Sequence, residues 1–179
     1  MIRVTVDSIR VSLLTQHRVV VLREADSRRY LPIWIGPFEA DAIALALQGY
    51  EPQRPMTHDL LKSVFSELGA TISHILVNDI DDNTFFARIV VEQGSHTIEI
   101  DARPSDAIAL AVRTDVPIYV ETHVFERAGT TGDDEDNAAI EEPVVDESEP
   151  EVTEEGLSPF REFINSLDFD DDEGKKGKQ

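Results

Sequence analysis

The sequence predicts an α+β domain with a mostly antiparallel sheet, followed by an acidic segment and a short C-terminal helix. Three observations support this prediction: short runs of alternating apolar residues, a helical sequence that occurs twice, and acidic residues concentrated near the C-terminus. The repeated sequence is Asp-Ala-Ile-Ala-Leu-Ala, at residues 41–46 and again at 106–111. Each copy follows a β-rich stretch and a proline, Pro37 or Pro104, and proline suits the first turn of a helix. We therefore expect two pseudo-equivalent strand-to-helix units that share one core.

The first half of the domain is expected to contain three strands and one helix. A change in the phase of alternation near residues 7–8 predicts a β-bulge. Pro32 lacks a backbone N–H, so it should confine its strand to an edge or to the start of pairing. Gly49 is expected to end the helix. The predicted strands are residues 2–14, 18–23 and 29–35, and the helix spans 37–48.

The second half is expected to begin with a further helix over residues 58–68, with Thr57 as its N-cap. Its buried stripe is predicted to be Leu60, Leu61, Val64, Phe65 and Leu68, which recur at helical spacing. Three antiparallel strands joined by hairpin turns should follow, then the second repeat helix, a last strand and a helical turn. The strands are predicted at 73–80, 84–92, 96–101 and 116–120, and the turn at 121–128.

Most of the net charge of −20 lies in one segment of the chain. Residues 129–155 hold 12 acidic residues and no Lys or Arg, whereas residues 1–128 carry a net charge of only −6. We therefore predict a folded domain over 1–128 and a disordered acidic linker over 129–156. An amphipathic helix is predicted at 157–168, with Phe160, Phe163, Ile164 and Leu167 on its apolar face, and a charged tail at 169–179. So short a helix must dock on another surface to be stable.

Composition excludes several classes of site and protein. The chain contains no cysteine, which rules out disulfides, thiolate metal sites and cysteine nucleophiles. No apolar run approaches the roughly 20 residues that span a bilayer, and the first residues have a strand pattern rather than that of a signal peptide. We expect a cytoplasmic protein with no membrane partner and no organic cofactor. A domain with a net charge of −6 gives no indication of the clustered basic surface that nucleic-acid binding needs.

Two segments share a design that suits anion binding. Residues 54–59 and 103–106 each place Arg-Pro before a helix whose first turn carries a hydroxyl group and an aspartate. Free N–H groups and the positive end of the helix dipole attract anions such as phosphate. The predicted substrate-binding residues are Arg54, Thr57, Arg103 and Ser105. The structural alternative is that the hydroxyls cap the helices and the arginines pair with nearby carboxylates.

A candidate catalytic set accompanies these segments, consisting of His58, Asp59, Asp101, Asp106 and Glu39. Imidazole and carboxylate groups suit Mg²⁺ or Mn²⁺, and Asp59, Asp101 and Asp106 are the candidate ligands. Such a metal could activate water and neutralise the charge that develops during phosphodiester cleavage. None of these spacings is diagnostic, and a histidine beside a helix start is more often a hydrogen-bonded structural residue.

Several motifs in order along the chain resemble the bifunctional nuclease (DNase/RNase) domain family. They are Tyr30-Leu-Pro-Ile-Trp-Ile-Gly36, Glu39-Ala-Asp-Ala-Ile-Ala44, Arg54-Pro-Met-Thr-His-Asp-Leu60, Ala102-Arg-Pro-Ser-Asp-Ala107 and Val116-Pro-Ile-Tyr-Val120. The resemblance covers about residues 2–128. It implies a compact α+β domain, commonly a homodimer, with nuclease activity on DNA and RNA. The sequence around Phe160 and Phe163 also resembles a tail helix of bacterial members.

Two functional hypotheses follow. The first is a metal-assisted nuclease that hydrolyses phosphodiester bonds in DNA and RNA. The second is a non-catalytic dimeric module that regulates, or that binds an anion or a partner. A nuclease needs a positive groove leading to the carboxylates, whereas a module can leave the same side chains in mutual salt bridges. Both hypotheses expect the two arginine-bearing helix starts to meet in the fold.

Overall fold

An eight-stranded sheet with helices on one face forms the framework of the described part of the protein. The computed structural model describes residues 1–11, 17–25 and 27–131. The α+β class predicted from the sequence is confirmed. The strands are β1 (Ile2–Val11), β2 (Arg18–Glu24), β3 (Arg29–Ile35), β4 (Thr71–Asp81), β5 (Thr84–Gln93), β6 (His96–Ala102), β7 (Ile118–Val120) and β8 (Thr130–Thr131). The helices are α1 (Pro37–Leu47), α2 (Thr57–Glu67), α3 (Pro104–Thr114) and α4 (Thr122–Ala128).

Two antiparallel half-sheets make up this sheet, and β7 joins them. The strand order is β6-β5-β4-β7-β1-β2-β3-β8, and the only parallel pair among these strands is β4 with β7. The bulge predicted in β1 is present as a register shift between Val6 and Ser8. Pro32 pairs with β2 on one side, and β8 covers only Arg29 and Tyr30 on the other. Among the described residues, the outer edge of β3 at Pro32 is therefore unpaired.

The centre of the helix layer is α3, which contacts α1, α2, β4 and β5. Seven of its eleven residues are buried, and alanines make up three of them. The equivalent small side chains of α1, Ala40 and Ala42, are also buried. Because alanine occupies little space, the backbones of α1 and α3 can lie close together. Ile43 and Ile108 belong to a single buried cluster, so the expectation that the repeated helices share one core is confirmed.

The stripe predicted for α2 is only partly buried. Leu61 and Phe65 pack against the core, but Leu60, Val64 and Leu68 are 58%, 42% and 64% exposed. The prediction is therefore wrong for these three residues. α2 lies at the margin of the helix layer, where α3 and β4 cover only a narrow strip of its surface. Helical spacing identifies the apolar face, but the width that is covered depends on the neighbouring elements.

The start of α2 also differs from the prediction. Thr57 is the first residue of the helix, and Met56 is the N-cap. The Asp59 carboxylate accepts a hydrogen bond from the backbone N–H of Met56 at 2.9 Å. The acidic side chain in the first turn thus binds the N–H of the N-cap residue, and the threonine hydroxyl is not in the N-cap position where it was predicted.

Part of the predicted C-terminal organisation lies outside the described residues. This applies to the linker from residue 132 onward, the helix at 157–168 and the tail at 169–179. Thr130–Thr131, at the start of the predicted linker, pairs with β3 and belongs to the sheet. Among the helices of residues 27–131, none is long and apolar enough to cross a membrane.

A buried arginine connects the three longer helices. The side chain of Arg113, in the last turn of α3, is 7% exposed. Its Nε donates to Asp59 Oδ1 in α2 at 2.9 Å, and its Nη2 donates to the carbonyl of Ala42 in α1 at 2.9 Å. Its Nη1 donates to the carbonyl of Ala109 in its own helix at 2.8 Å. This guanidinium therefore fixes α1 and α2 against α3.

Replacing Arg113 by methionine should lower the free energy of unfolding by about 3 kcal/mol, because it leaves the Asp59 carboxylate without its cation and removes a donor from two carbonyls. Urea unfolding followed by circular dichroism measures the change. The matched control is Arg88→Met, because Arg88 pairs with Glu99 where both side chains are about half exposed. That control should cost under about 1 kcal/mol. Equal effects of the two substitutions would contradict the role assigned to Arg113.

Candidate functional site

The third residue of each of the three longer helices is acidic: Glu39 in α1, Asp59 in α2 and Asp106 in α3. Negative charge is favourable at this end of a helix because the backbone dipole is positive there. Each of these carboxylates also binds an arginine. Arg113 binds Asp59, and Arg103 binds both Glu39 and Asp106.

Arg103 joins the starts of α1 and α3. It is the N-cap residue of α3, directly before Pro104. Its Nε donates to Asp106 Oδ2 and its Nη2 to Glu39 Oε1, both at 2.7 Å. The hydrogen bond to Asp106, and then that to Glu39, raises the pKa of Arg103 above its usual value. The side chain is nevertheless 66% exposed, so its remaining N–H donors can reach a ligand from solvent.

Gly36 makes room for the Glu39 carboxylate. Gly36 is the N-cap of α1, and a Cβ atom built on it would overlap Oε2 of Glu39. Any side chain at this position would push the carboxylate aside. The glycine therefore permits the position from which Glu39 reaches Arg103.

His58 brings α2 to the same place. Its Nε2 lies 3.1 Å from Asp106 Oδ1, and the residue is only 8% exposed. Burial would raise the pKa of Asp106, but the hydrogen bonds from Arg103 and His58 outweigh burial and hold that pKa below its usual value. Asp106 is thus an ionised carboxylate held between a cation and an imidazole. We call His58, Asp106, Arg103 and Glu39 the helix-start cluster.

The two arginine-bearing helix starts do meet, as expected, but only one of the two arginines takes part. The contact between them is the pair of His58 with Asp106. Arg54 is exposed and makes no hydrogen bond or ion pair in the described part of the chain. Thr57 is exposed at the first position of α2, and Ser105 is buried at the second position of α3. The structure therefore does not place Arg54, Thr57 and Ser105 on a common surface with Arg103.

The three predicted metal ligands, Asp59, Asp101 and Asp106, have different partners and share none. Asp59 is held by Arg113, and Asp106 is held by Arg103 and His58. Asp101 is exposed on β6, opposite Arg88 of β5, and makes no hydrogen bond or ion pair with the helix-start cluster in the described structure. In residues 1–11, 17–25 and 27–131, no group of three or more His, Asp or Glu side chains is arranged to hold a metal ion. As they stand, these residues do not fit a shared Mg²⁺ or Mn²⁺ site.

Arg113 is a residue that sequence reasoning missed. A basic residue in the last turn of a helix is ordinarily an exposed side chain that favours the helix dipole. Its burial arises because α1 and α2 both cross α3, which no local pattern shows.

Comparison with known proteins adds an independent line of evidence. A sequence model described as the bifunctional nuclease domain matches residues 20–133. An uncharacterised protein of Mycobacterium tuberculosis is 41% identical over 168 residues, which cover 94% of this chain and 96% of that protein. Bifunctional nuclease 2 of Oryza sativa subsp. japonica is 30% identical over 108 residues, 59% of this chain and 33% of that protein. Bifunctional nuclease 1 of Arabidopsis thaliana is 26% identical over 112 residues, 60% of this chain and 34% of that protein.

The ion pair at Asp106 should make stability depend on pH. An unfolded aspartate titrates near pH ~3.9, and Asp106 titrates lower in the folded protein. Its stabilising effect is therefore fully present above about pH 4 and is lost as the pH falls through the folded-state pKa. Asp106→Asn should destabilise the protein at neutral pH, and the difference from wild type should shrink as the pH falls below about 4. Urea titrations at several pH values measure this.

The matched control is Asp101→Asn, at an exposed carboxylate outside the helix-start cluster. Its effect on the free energy of unfolding should be small at every pH. If the cost of Asp106→Asn is the same at acidic and neutral pH, the carboxylate does not contribute through its charge.

Proposed function

Because the chain belongs to the bifunctional nuclease domain family, we propose that it hydrolyses phosphodiester bonds in DNA and RNA at the helix-start cluster. The observation that carries this proposal is the hydrogen bond between His58 and Asp106, beside the exposed guanidinium of Arg103. A histidine held by a carboxylate is suited to proton transfer, and an arginine is suited to a phosphate. The family and the cluster point to the same chemistry.

His58 is the proposed general base. When Nε2 donates to Asp106, the lone pair lies on Nδ1, which can accept a proton from water. The resulting hydroxide attacks phosphorus, the bond to the leaving oxygen breaks, and the imidazolium returns the proton to that oxygen. Asp106 stabilises the imidazolium and fixes the orientation of the ring, so Asp106 acts through His58.

Arg103 is the proposed phosphate-binding residue. Two of its N–H groups are bound by Asp106 and Glu39, which hold the guanidinium plane in one orientation. The remaining donors can bind a phosphoryl oxygen and stabilise the charge that develops on it. Glu39 is a positioning residue, since its contact in the described structure is with Arg103. Metal assistance by Mg²⁺ or Mn²⁺ stays a prediction and forms one arm of the test below.

A specific observation favours the alternative, a non-catalytic module that binds an anion or a partner and forms a homodimer. Every charged side chain of the helix-start cluster is paired within it. Such mutual pairing is also what a purely structural ion network shows. The alternative differs from the nuclease in predicting that ligands bind without being cleaved.

His58→Gln should lower cleavage of single- and double-stranded DNA and RNA by about 10²–10⁴-fold, the usual contribution of a general acid–base group. Purified wild type and variant are compared with Mg²⁺, with Mn²⁺ and with a chelator, and products are resolved on denaturing gels. His96→Gln is the matched control, because His96 is exposed at the start of β6 and outside the cluster. This control should cleave at the wild-type rate.

Equal cleavage by wild type and His58→Gln would show that the activity belongs to another site or to a contaminant. Absence of cleavage by wild type under all metal conditions, with retained binding of phosphate compounds that is lost in Arg103→Gln, would establish the module instead. Thermal unfolding of each variant shows whether a loss of activity is a loss of fold.

A further inference from the structure

Basic residues are concentrated in the first three strands. Residues 1–35 contain six arginines and three acidic residues, a net charge of +3. Residues 36–128 contain six basic and fifteen acidic residues, a net charge of −9. The modest negative charge of the whole domain therefore conceals a positive region. Clustered positive charge on one surface is the electrostatic feature that nucleic-acid binding requires.

The register of β1 and β2 places part of this charge on the sheet face that points away from the helices. Val4 and Leu22 belong to the buried core beneath the helices. Side chains alternate between the two faces of a strand, so Thr5 and Arg23, which pair with each other, lie on the opposite face. Arg3 lies two residues before Thr5 on that same face and is exposed. We call Arg3, Thr5, Arg23, Ser27 and Arg28 the arginine surface.

A concavity occupies this surface at the end of the β2–β3 hairpin. It is open, has a volume of about 500 Å³, and is lined by Thr5, Arg23, Ala25, Ser27 and Arg28. Arg28 is exposed and makes no hydrogen bond or ion pair with any residue of the described ranges. Arg23 has one carboxylate neighbour, with its Nε 3.4 Å from Asp7 Oδ1. Ser27 of the lining donates to Glu24, which also pairs with Arg29. Among the described residues, the arginines at and beside the concavity (Arg23, Arg28 and Arg29) thus outnumber the carboxylates (Asp7 and Glu24).

We propose that the arginine surface binds the phosphate backbone of a single-stranded nucleic acid. Guanidinium groups and hydroxyls are the side chains that most often contact phosphate oxygens, and both line the concavity. Tyr30 pairs with Arg23 in the neighbouring strand and therefore shares the outward face, where its ring offers a base a stacking surface. Because an aromatic ring stacks on bases that are exposed, this surface suits a single strand rather than a duplex.

The sheet separates the arginine surface from the helix-start cluster, so the two act on different parts of a long strand. The arginine surface holds flanking nucleotides and raises affinity, whereas the cluster acts on the bond to be cleaved. The choice of nucleic acid over another polyanion rests on the proposed function. The position and charge of the arginine surface are independent of the proposed function.

The test is binding of a fluorescein-labelled single-stranded oligonucleotide to the full chain, measured by fluorescence anisotropy over a range of salt concentrations without divalent metal. Each phosphate contact to single-stranded nucleic acid contributes about 0.7 to the slope of log K against log[salt]. Arg23→Gln with Arg28→Gln should therefore lower the slope by about 1.4 and weaken binding roughly 25-fold at 0.1 M salt. Arg88→Gln, at an exposed arginine of β5, is the control and should change affinity by less than about twofold.

An unchanged slope and affinity in the double variant would overturn the proposal. A second result would also overturn the proposal: the double variant no longer binds a synthetic peptide of residues 133–155 but still binds the oligonucleotide. The arginine surface would then bind the acidic segment. Cleavage is measured separately. Oligonucleotide binding through the arginines without cleavage contradicts only the proposed function, and cleavage with unaltered KM in the double variant contradicts only the arginine surface.

Discussion

The arrangement of the helices depends on the buried guanidinium of Arg113. α2 contributes only a narrow apolar strip to the core, so hydrophobic burial alone fixes its position weakly. Hydrogen bonds are directional, and those from Arg113 to Asp59 and to the carbonyl of Ala42 fix the orientation of α2, which apolar contact alone does not. A buried cation is tolerated only when its donors are satisfied, and here three acceptors from three helices meet that need. His58, one residue before Asp59, consequently arrives beside Asp106.

The acidic third residues of the helices serve two purposes at once. Each carboxylate lies near the positive end of a helix dipole and also binds a guanidinium. Each of the three carboxylates is therefore paired with one of two guanidiniums within the helix layer, and Arg103 is the most exposed member. The other face of the sheet is built differently, since Arg28 there has no acidic partner among the described residues. In the described residues, the helix side thus carries a fully paired ionic network, whereas the opposite side carries at least one arginine, Arg28, outside any ion pair.

Local patterns in the sequence were sufficient for most of the fold. Alternation predicted the strands and the bulge of β1, and the repeated Asp-Ala-Ile-Ala-Leu-Ala predicted two helices that pack together. The same repeat aligns Asp41 with Asp106, although the predicted catalytic set contained Glu39 and not Asp41. Counted from the prolines that begin α1 and α3, the equivalent of Asp106 is Glu39, and Asp41 points to solvent. Two similar motifs predicted that the arginine-bearing helix starts meet. The pairing of His58 with Asp106, the burial of Arg113 and the exposure of Leu60 depend on how the helices pack, which no local pattern contains.

The short strand β7 has a consequence for the order in which this protein can form during synthesis. Its three residues lie between β4 and β1 and provide the hydrogen-bonded link between the two half-sheets. The hairpins on either side are local in sequence and can form early, but they stay separate until residues 118–120 have left the ribosome. Until then β1 and β4 both expose an unpaired edge. A nascent chain halted before this point would expose both unpaired strand edges to chaperones and to neighbouring chains.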